Sequence, residues 1–366
     1  MSTVSVCMIV KDEQNIIEDS LNSINDIADE IIITDTGSVD KTKEIAKTFT
    51  DKIYDFKWIN DFSAAKNFCA EKASCDFIFT WDADFFIKEE FRKKIIELKN
   101  NNFNNFNYIR FRWNLEYSSA GIPIKYNGNY FLYERNLFHW EYPVHEKIIA
   151  NKNTEIKSKT FWDIEIEHYR DKEKLYGRQN QKLEIMQQFI SNNPIDLNML
   201  YVYAEDLAYA KKYENAIKVY EQFIEITTHN DLERKMIAAE KMILFNFYLK
   251  NTKEAKIIAN KYYDLFHEYP RFLLIYADAT VPFDEKGALD AYKIFISKAE
   301  ELKKSYNSYD NERYNVHPYL MISQILIKKE KYNEALQFIE EAIKNTLIEE
   351  RKDAFLNIKY ELLKNV

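Results

Sequence analysis

The sequence predicts an α/β half with a mostly parallel sheet, followed by an all-α half of helix-pair repeats. Three observations point there. Short apolar runs alternate with amphipathic stretches up to about residue 171. From residue 172 onward nearly every stretch carries helical periodicity. Glycine and proline are scarce, with 5 and 6 in 366 residues, which excludes a loop-rich all-β protein and long disordered linkers. The expected domains are therefore 1–171 and 172–366.

Val4 to Val10 reads as a buried strand, and Asn15 to Ile27 as a helix with Ile16, Ile17, Leu21 and Ile24 on one side. Glu30 to Thr34 is a second strand. Ser38 or Asp40 can cap the next helix, which runs to about Phe49. Lys52 to Trp58 is a third strand, Ser63 to Ala73 a helix and Asp76 to Trp81 a fourth strand. Such alternation implies a Rossmann-like sheet covered on both faces, with ligands at the carboxyl ends of its strands. From Tyr108 to His168 the pattern becomes irregular and β-rich. Tyr108–Trp113, Tyr130–Glu134, Glu146–Ala150 and Thr160–His168 are the strand candidates that extend the sheet.

In the second half, the polar turns "KKYENA", "KNTKEA" and "KEKYNEA" separate paired helices. Small and large apolar residues recur around them, as in Ala204, Leu207, Ala216 and Tyr220, then Ala255, Ala259 and Tyr262, then Leu326, Ala335 and Ile339. The spacing resembles the tetratricopeptide pattern, with irregular intervals. Pro282–Leu302 fits it less well, and Arg351–Leu363 reads as a capping helix.

Composition narrows the function classes. The formal net charge of −8 argues against nucleic acid as a partner. Cys7, Cys69 and Cys75 have neither a CxxC pair nor a zinc spacing, as expected of reduced cysteines in a cytoplasmic protein. The chain enters a strand almost at once, so no signal peptide is expected, and no apolar run is long enough for a transmembrane segment. Aromatic residues reach 15%, which reads first as bulky cores and second as a sugar- or peptide-binding surface.

The sharpest chemical signal is Asp82-Ala83-Asp84, directly after the apolar run Phe77–Trp81. Residues i and i+2 on an extended segment face the same way, so both carboxylates can meet one hard cation such as Mg2+ or Mn2+. A solvated acidic turn is the other reading of that motif alone. Its context decides between them. "SVCMIVKDEQNIIEDSLNSI", "DEIIITDTGSVDKT", "DFSAAKNFCAEKA" and "DFIFTWDADF" follow in order, and together they resemble family 2 glycosyltransferases of the GT-A fold. The resemblance covers residues 3–100 and, more loosely, 130–170. With the helical half, the chain is similar to the peptide S- and O-glycosyltransferases of bacteriocins (glycocins).

The resemblance implies an inverting transferase that takes a UDP-sugar, with UDP-glucose or UDP-GlcNAc as the donor. Val10, Lys11, Asp12 and Glu13 would line the nucleotide pocket, and Asp35 would bind the base, the alternative being a helix-approaching turn aspartate, which Asp40 could equally be. Lys66 stands where relatives carry Arg in an "RN" pair; it can meet a phosphate, but not in bidentate fashion. Asn67 reads as structural. Asp82, Ala83 and Asp84 match the metal and ribose–diphosphate contacts. In "YPVHE", Glu146 or His145 would deprotonate the acceptor, and a hydrogen-bonded turn is the alternative. His168, in "IEIEHY", matches a third metal ligand or a core histidine, and Arg135 a phosphate or acceptor contact or a surface ion pair.

The acceptor implied is a Ser/Thr hydroxyl or Cys thiol of a peptide or protein. The helical half would supply the groove, a homodimer interface, or both. A surface polysaccharide or lipid-linked saccharide is the alternative acceptor, and a non-catalytic peptide scaffold the alternative role. A nucleotidyltransferase would carry a Gly-rich phosphate loop after the first strand, and none follows Val10.

Overall fold

The computed structural model describes residues 2–117, 123–168, 172–228, 231–305 and 312–366. They form two compact units, Met1–Ser191 and Asn192–Val366.

The first unit opens as a β–α alternation: β1 (Val4–Val10), α1 (Ile17–Ile24), β2 (Glu30–Asp35), α2 (Thr42–Ala46), β3 (Ile53–Asp55), α3 (Phe62–Glu71) and β4 (Phe77–Thr80). β5 (Phe85–Phe86), α4 (Glu89–Asn100), β6 (Tyr108–Tyr117), β7 (Pro123–Glu134), β8 (Phe138–Glu141), β9 (Lys147–Ala150), β10 (Ser158–His168) and α5 (Lys172–Asn192) follow. The eight-stranded sheet runs β3-β2-β1-β4-β7-β6-β10-β5, and β8 and β9 form a separate antiparallel pair. Strands β3, β2, β1 and β4 are mutually parallel, as their apolar runs predict. β7 then enters antiparallel between β4 and β6, and β10 returns parallel to β6, so the sheet is mixed.

Several elements are shorter than their sequence pattern. α1 spans eight residues, and α2 five, with no side-chain cap on its first turn. Asp40 nevertheless accepts from the Thr42 amide at 2.9 Å, so it does bind the start of α2. The core on one side of the sheet gathers Val4, Val6, Met8, Leu21, Ile33, Phe79, Trp81, Phe111 and Phe131. On the other, Cys7, Ile32, Cys69, Ile78, Tyr133 and Trp140 pack under α3 and β8.

The second unit pairs α6 (Leu197–Tyr209) with α7 (Tyr213–Ile226), α8 (Leu232–Tyr248) with α9 (Thr252–Phe266), and α10 (Pro270–Thr280) with α11 (Glu285–Ser305). α12 (His317–Lys328) pairs with α13 (Tyr332–Asn345), and α14 (Glu349–Leu363) packs on α13. The buried alanines at 204, 216, 239, 255, 259, 277, 288 and 335 let helices approach closely, and Tyr220, Phe223, Phe266, Tyr292 and Phe295 fill the spaces between. The three polar turns share one geometry. Lys211, Lys250 and Glu330 each adopt a left-handed conformation, with φ of 59°, 61° and 56°. The next amide in each case donates back five residues, Lys212 to Leu207, Asn251 to Asn246 and Lys331 to Leu326. That is the Schellman closure of a helix, made here without glycine. Among the described residues no helix is long and apolar enough to cross a membrane.

Candidate active site

β1 is followed in the sheet by β2 and β3 on one side and by β4 on the other, so the crevice between β1 and β4 is the topological switch point. Val10, Lys11 and Glu13 leave the end of β1, Asp35 ends β2, and Asp82-Ala83-Asp84 follow β4. The loop after β1 is laced to the loop after β2. The Asp12 amide donates to Ser38 Oγ at 3.0 Å, Glu13 N to Thr42 Oγ1 at 2.7 Å, and Val39 N to Asp12 Oδ1 at 2.8 Å. Glu13 is buried by this lacing, while Lys11 is exposed.

Asp35 is 2% exposed. Its Oδ1 accepts from the amides of Gly37 and Ser38, both at 2.9 Å, and Gly37 reaches this position with a φ of 112°. Its Oδ2 is buried and has no hydrogen-bond partner. A buried carboxylate oxygen without a donor is costly unless a ligand supplies one.

The acidic turn is held from behind. Trp81 Nε1 donates to Ser20 Oγ at 2.9 Å, and that hydroxyl donates to Phe85 O at 2.9 Å, so α1 fixes the path from Asp82 to Phe85. β10 pairs antiparallel with β5, with His168 opposite Phe85. This register brings His168 Nε2 to 3.0 Å from Asp84 Oδ2. Tyr169, next in that segment, lies outside the described residues.

α3 brings in the third side. Asp61 caps it, accepting from Ala64 N at 2.8 Å. Its first turn is stitched to the segment after β8: Phe62 N donates to Pro143 O at 2.9 Å, and Ser63 Oγ to Tyr142 O at 2.5 Å. That segment carries His145 and Glu146. Tyr142 and His145 are both left-handed, with φ of 74° and 52°, a conformation such residues adopt only when their surroundings impose it. Lys66 Nζ then meets Glu146 Oε1 at 2.7 Å and lies 4.3 Å from the centre of the Trp140 ring.

The electrostatics join these parts. Burial, reinforced by Asp84 and Glu146, raises the Asp82 carboxyl above its usual range, against the pull of Lys66 and His168. Burial opposes the charge of Lys66, but Glu146 and Asp82 outweigh it and raise the lysine. Burial likewise opposes the charge of Glu146, and Lys66 outweighs it and lowers that carboxyl. Asp82, Asp84, Glu146, Lys66 and His168 are thus one charge cluster with an excess of carboxylates. Among the described residues no three His, Cys, Asp or Glu side chains enclose a common point. Asp82 and Asp84 offer hard carboxylate oxygens, the donors that Mg2+ or Mn2+ takes together with phosphate oxygens and water.

Arg135 is bound to the backbone: its Nε donates to Cys75 O at 2.8 Å. The sequence pattern did not single out Trp140, which touches Lys66. Nor did it give Asn67 a specific partner. The Asn67 amide accepts from Trp140 N and donates to Trp140 O, both at 2.9 Å. Only the adjacency of Lys66 and Asn67 hints at a shared partner.

Residues 5–157 match glycosyl transferase family 2, and residues 316–346 match a tetratricopeptide repeat. The SPbeta prophage-derived glycosyltransferase SunS of Bacillus subtilis is 39% identical over 98 residues, 26% of this chain and 23% of SunS. A TPR repeat-containing protein of Synechococcus elongatus is 44% identical over 84 residues, 23% of this chain and 21% of that protein. The chain thus spans less than a quarter of the length of either relative. The crystal structure of S. aureus TarS superposes with a TM-score of 0.40 and 12% identity over 69% of this chain and 54% of that one. The first unit therefore contains a glycosyl transferase family 2 domain, and the second a tetratricopeptide repeat.

Proposed function

We propose that the protein is an inverting glycosyltransferase that moves a hexose from a UDP-sugar to a Ser/Thr hydroxyl or Cys thiol of a peptide or protein. The observation that carries this reading is the cluster of Asp82, Asp84, Lys66 and Glu146 at the switch point, with the orphaned oxygen of Asp35 on the adjoining strand. Asp35 Oδ2 accepts a base N–H, for which uracil has the right donor. The loop at Val10, Lys11 and Glu13 forms one wall of the nucleotide pocket, and Ala83 lets the ribose and diphosphate approach the acidic turn.

Asp82 and Asp84 would hold the divalent cation, with His168 as the partner that orients Asp84. When bound, the cation neutralises charge that develops on the leaving diphosphate. Lys66 adds a positive charge from the α3 side. Glu146 is the better placed base of the two candidates, because it is mostly buried and faces the cluster. It takes the proton of the acceptor as the hydroxyl or thiol attacks the anomeric carbon opposite the diphosphate. Its carboxyl, lowered against burial by Lys66, is ionised, and the same pairing makes it a weaker base than a free carboxylate. The tetratricopeptide-like repeats would hold the acceptor polypeptide, since such repeats stack into extended binding surfaces.

Incubating the protein with UDP-glucose or UDP-GlcNAc and Mn2+ and following UDP release tests the donor half. Release that disappears in Asp84→Ala, with the circular dichroism spectrum retained, is expected. Undiminished release in that variant would remove the acidic turn from the chemistry. Undiminished turnover in EDTA would remove the metal.

A further inference from the structure

Lys66 and Asn67 are consecutive, yet both address Trp140. Asn67 reads its main chain, accepting from N and donating to O, as a neighbouring strand would. Lys66 rests on its ring face, 4.3 Å from the centre. The indole N–H donates to Tyr133 Oη at 2.9 Å, and Tyr133 belongs to β7 of the main sheet. Trp140 is thereby fixed at three points although β8 lies outside that sheet. The same ring helps to line a small cavity that also touches Lys66, Thr80, Asp82 and Tyr133.

A lysine needs such a support more than an arginine does. The guanidinium is planar and takes a diphosphate with two parallel hydrogen bonds, whereas an ammonium is a compact charge on a flexible stem. Glu146 alone would hold Lys66 as a closed ion pair. Drawing the lysine towards a phosphate would then leave a buried carboxylate unpaired, which is expensive. An aromatic face attracts the ammonium without cancelling its charge.

We propose that Trp140, fixed by Asn67 and Tyr133, is a positioning residue that holds the Lys66 ammonium where it meets the β-phosphate of the sugar donor. This inference rests on the nucleotide-binding reading given above. It acts through Lys66, and Trp140 itself touches no reacting atom.

The test compares UDP with UMP, which lacks the β-phosphate, by calorimetry at one fixed Mn2+ concentration. The native protein should prefer UDP. Lys66→Met should reduce that preference, and Trp140→Leu should reduce it by about tenfold, the order expected for a desolvated cation–π contact. Trp140→Phe keeps a weaker ring face and should reduce it by roughly threefold. The double variant K66M/W140L should be no worse than K66M, because both act on one ammonium. A merely structural role for Trp140 would weaken UMP and UDP in equal proportion and leave the ratio unmoved. That result, alongside a shifted ratio in K66M, overturns the inference and leaves the nucleotide reading standing. An unshifted ratio in K66M overturns the inference alone, and no UDP binding by the native protein overturns both. Thermal melts accompany each variant, and if W140L does not fold, W140F decides by the same ratio.

Discussion

Asp82 in the first unit and Asp278 in the second are both carboxylates largely removed from water, and they are treated in opposite ways. Asp278 accepts from Tyr292 Oη at 2.6 Å, Arg313 Nη2 at 2.6 Å and His317 Nε2 at 2.7 Å. Burial opposes its charge, but His317, Arg313 and Tyr292 outweigh burial and lower its carboxyl. Asp82 sits beside two further carboxylates, and burial with their repulsion raises it. The first arrangement stabilises the fold. The second works against folding at neutral pH, which fits the proposed completion by a cation and phosphates. Partner count therefore separates Asp278 from Asp82 where burial alone does not.

The strongest way to break this comparison is to neutralise each acid. Asp82→Asn should lower transfer on the order of a hundredfold or more. It should leave the unfolding free energy unchanged or raised, because the raised carboxyl marks a charge that the fold tolerates poorly. Asp278→Asn should do the reverse. It weakens the charged acceptor shared by Tyr292, Arg313 and His317, at a cost of about 2 kcal/mol, while activity per folded molecule stays intact. Urea melts beside an activity assay read both. Matching stability losses in the two variants would erase the distinction.

Asp35 sharpens the comparison within the first unit. Half of its carboxylate is satisfied by the amides of Gly37 and Ser38, and Oδ2 is not. Asp35→Ala should weaken UDP binding roughly tenfold to a hundredfold, the value of a hydrogen bond to a charged group, with little change in the chemical step. Calorimetry with UDP that shows unaltered affinity would take Asp35 out of the pocket.

The parts legible in the sequence share a physical reason. Val4–Val10, Glu30–Asp35 and Phe77–Thr80 are largely buried on both faces, so each carries a nearly continuous apolar run, and the proposed site residues lie at their ends. The acidic turn and Asp35 lie at those strand ends, whereas Glu146, taken from the family resemblance, lies before β9 and meets Lys66. Trp140 and the register of His168 are not legible in this way. Both depend on pairings between segments far apart in sequence, Asn67 with Trp140 and β5 with β10, which leave no periodic trace. α5 shows a similar effect at larger scale. Its helical periodicity assigns it to the second half, whereas it groups with the first unit, where Phe189 contacts the Tyr142 ring at 6.0 Å.

Glu30 offers a smaller test, on the structural side of the comparison. It accepts from Ser5 Oγ at 2.5 Å, from Ser74 N at 2.5 Å and from Lys52. Burial pushes the carboxyl up, but donation from Lys52, Ser5 and Ser74 prevails and brings it from 4.5 to about 2. A carboxyl lowered on folding stabilises above its unfolded value and loses that contribution as pH falls through its folded value. The window is therefore pH 4.5 down to about 2. Glu30→Gln should cost about 1–2 kcal/mol at neutral pH, allowing for solvent screening, and flatten the stability profile across that window. An unchanged acid limb would show that the staple contributes nothing.

The smallest expected effect comes from the repeat turns. Lys211, Lys250 and Glu330 hold a left-handed backbone at the residue that closes a helix, where glycine carries no Cβ penalty. The closing hydrogen bonds, such as Lys212 N to Leu207 O at 2.9 Å, are already made, so glycine need only relieve the strain. Against that gain stands the greater freedom of glycine in the unfolded chain, which takes back part of it. Each single change to glycine should therefore stabilise by up to about 1 kcal/mol, and the three should add, since they lie in separate turns. Sugar transfer should not respond to any of them, because the proposed chemistry resides in the first unit. A triple variant that melts no higher than the native protein would show that these turns are not strained.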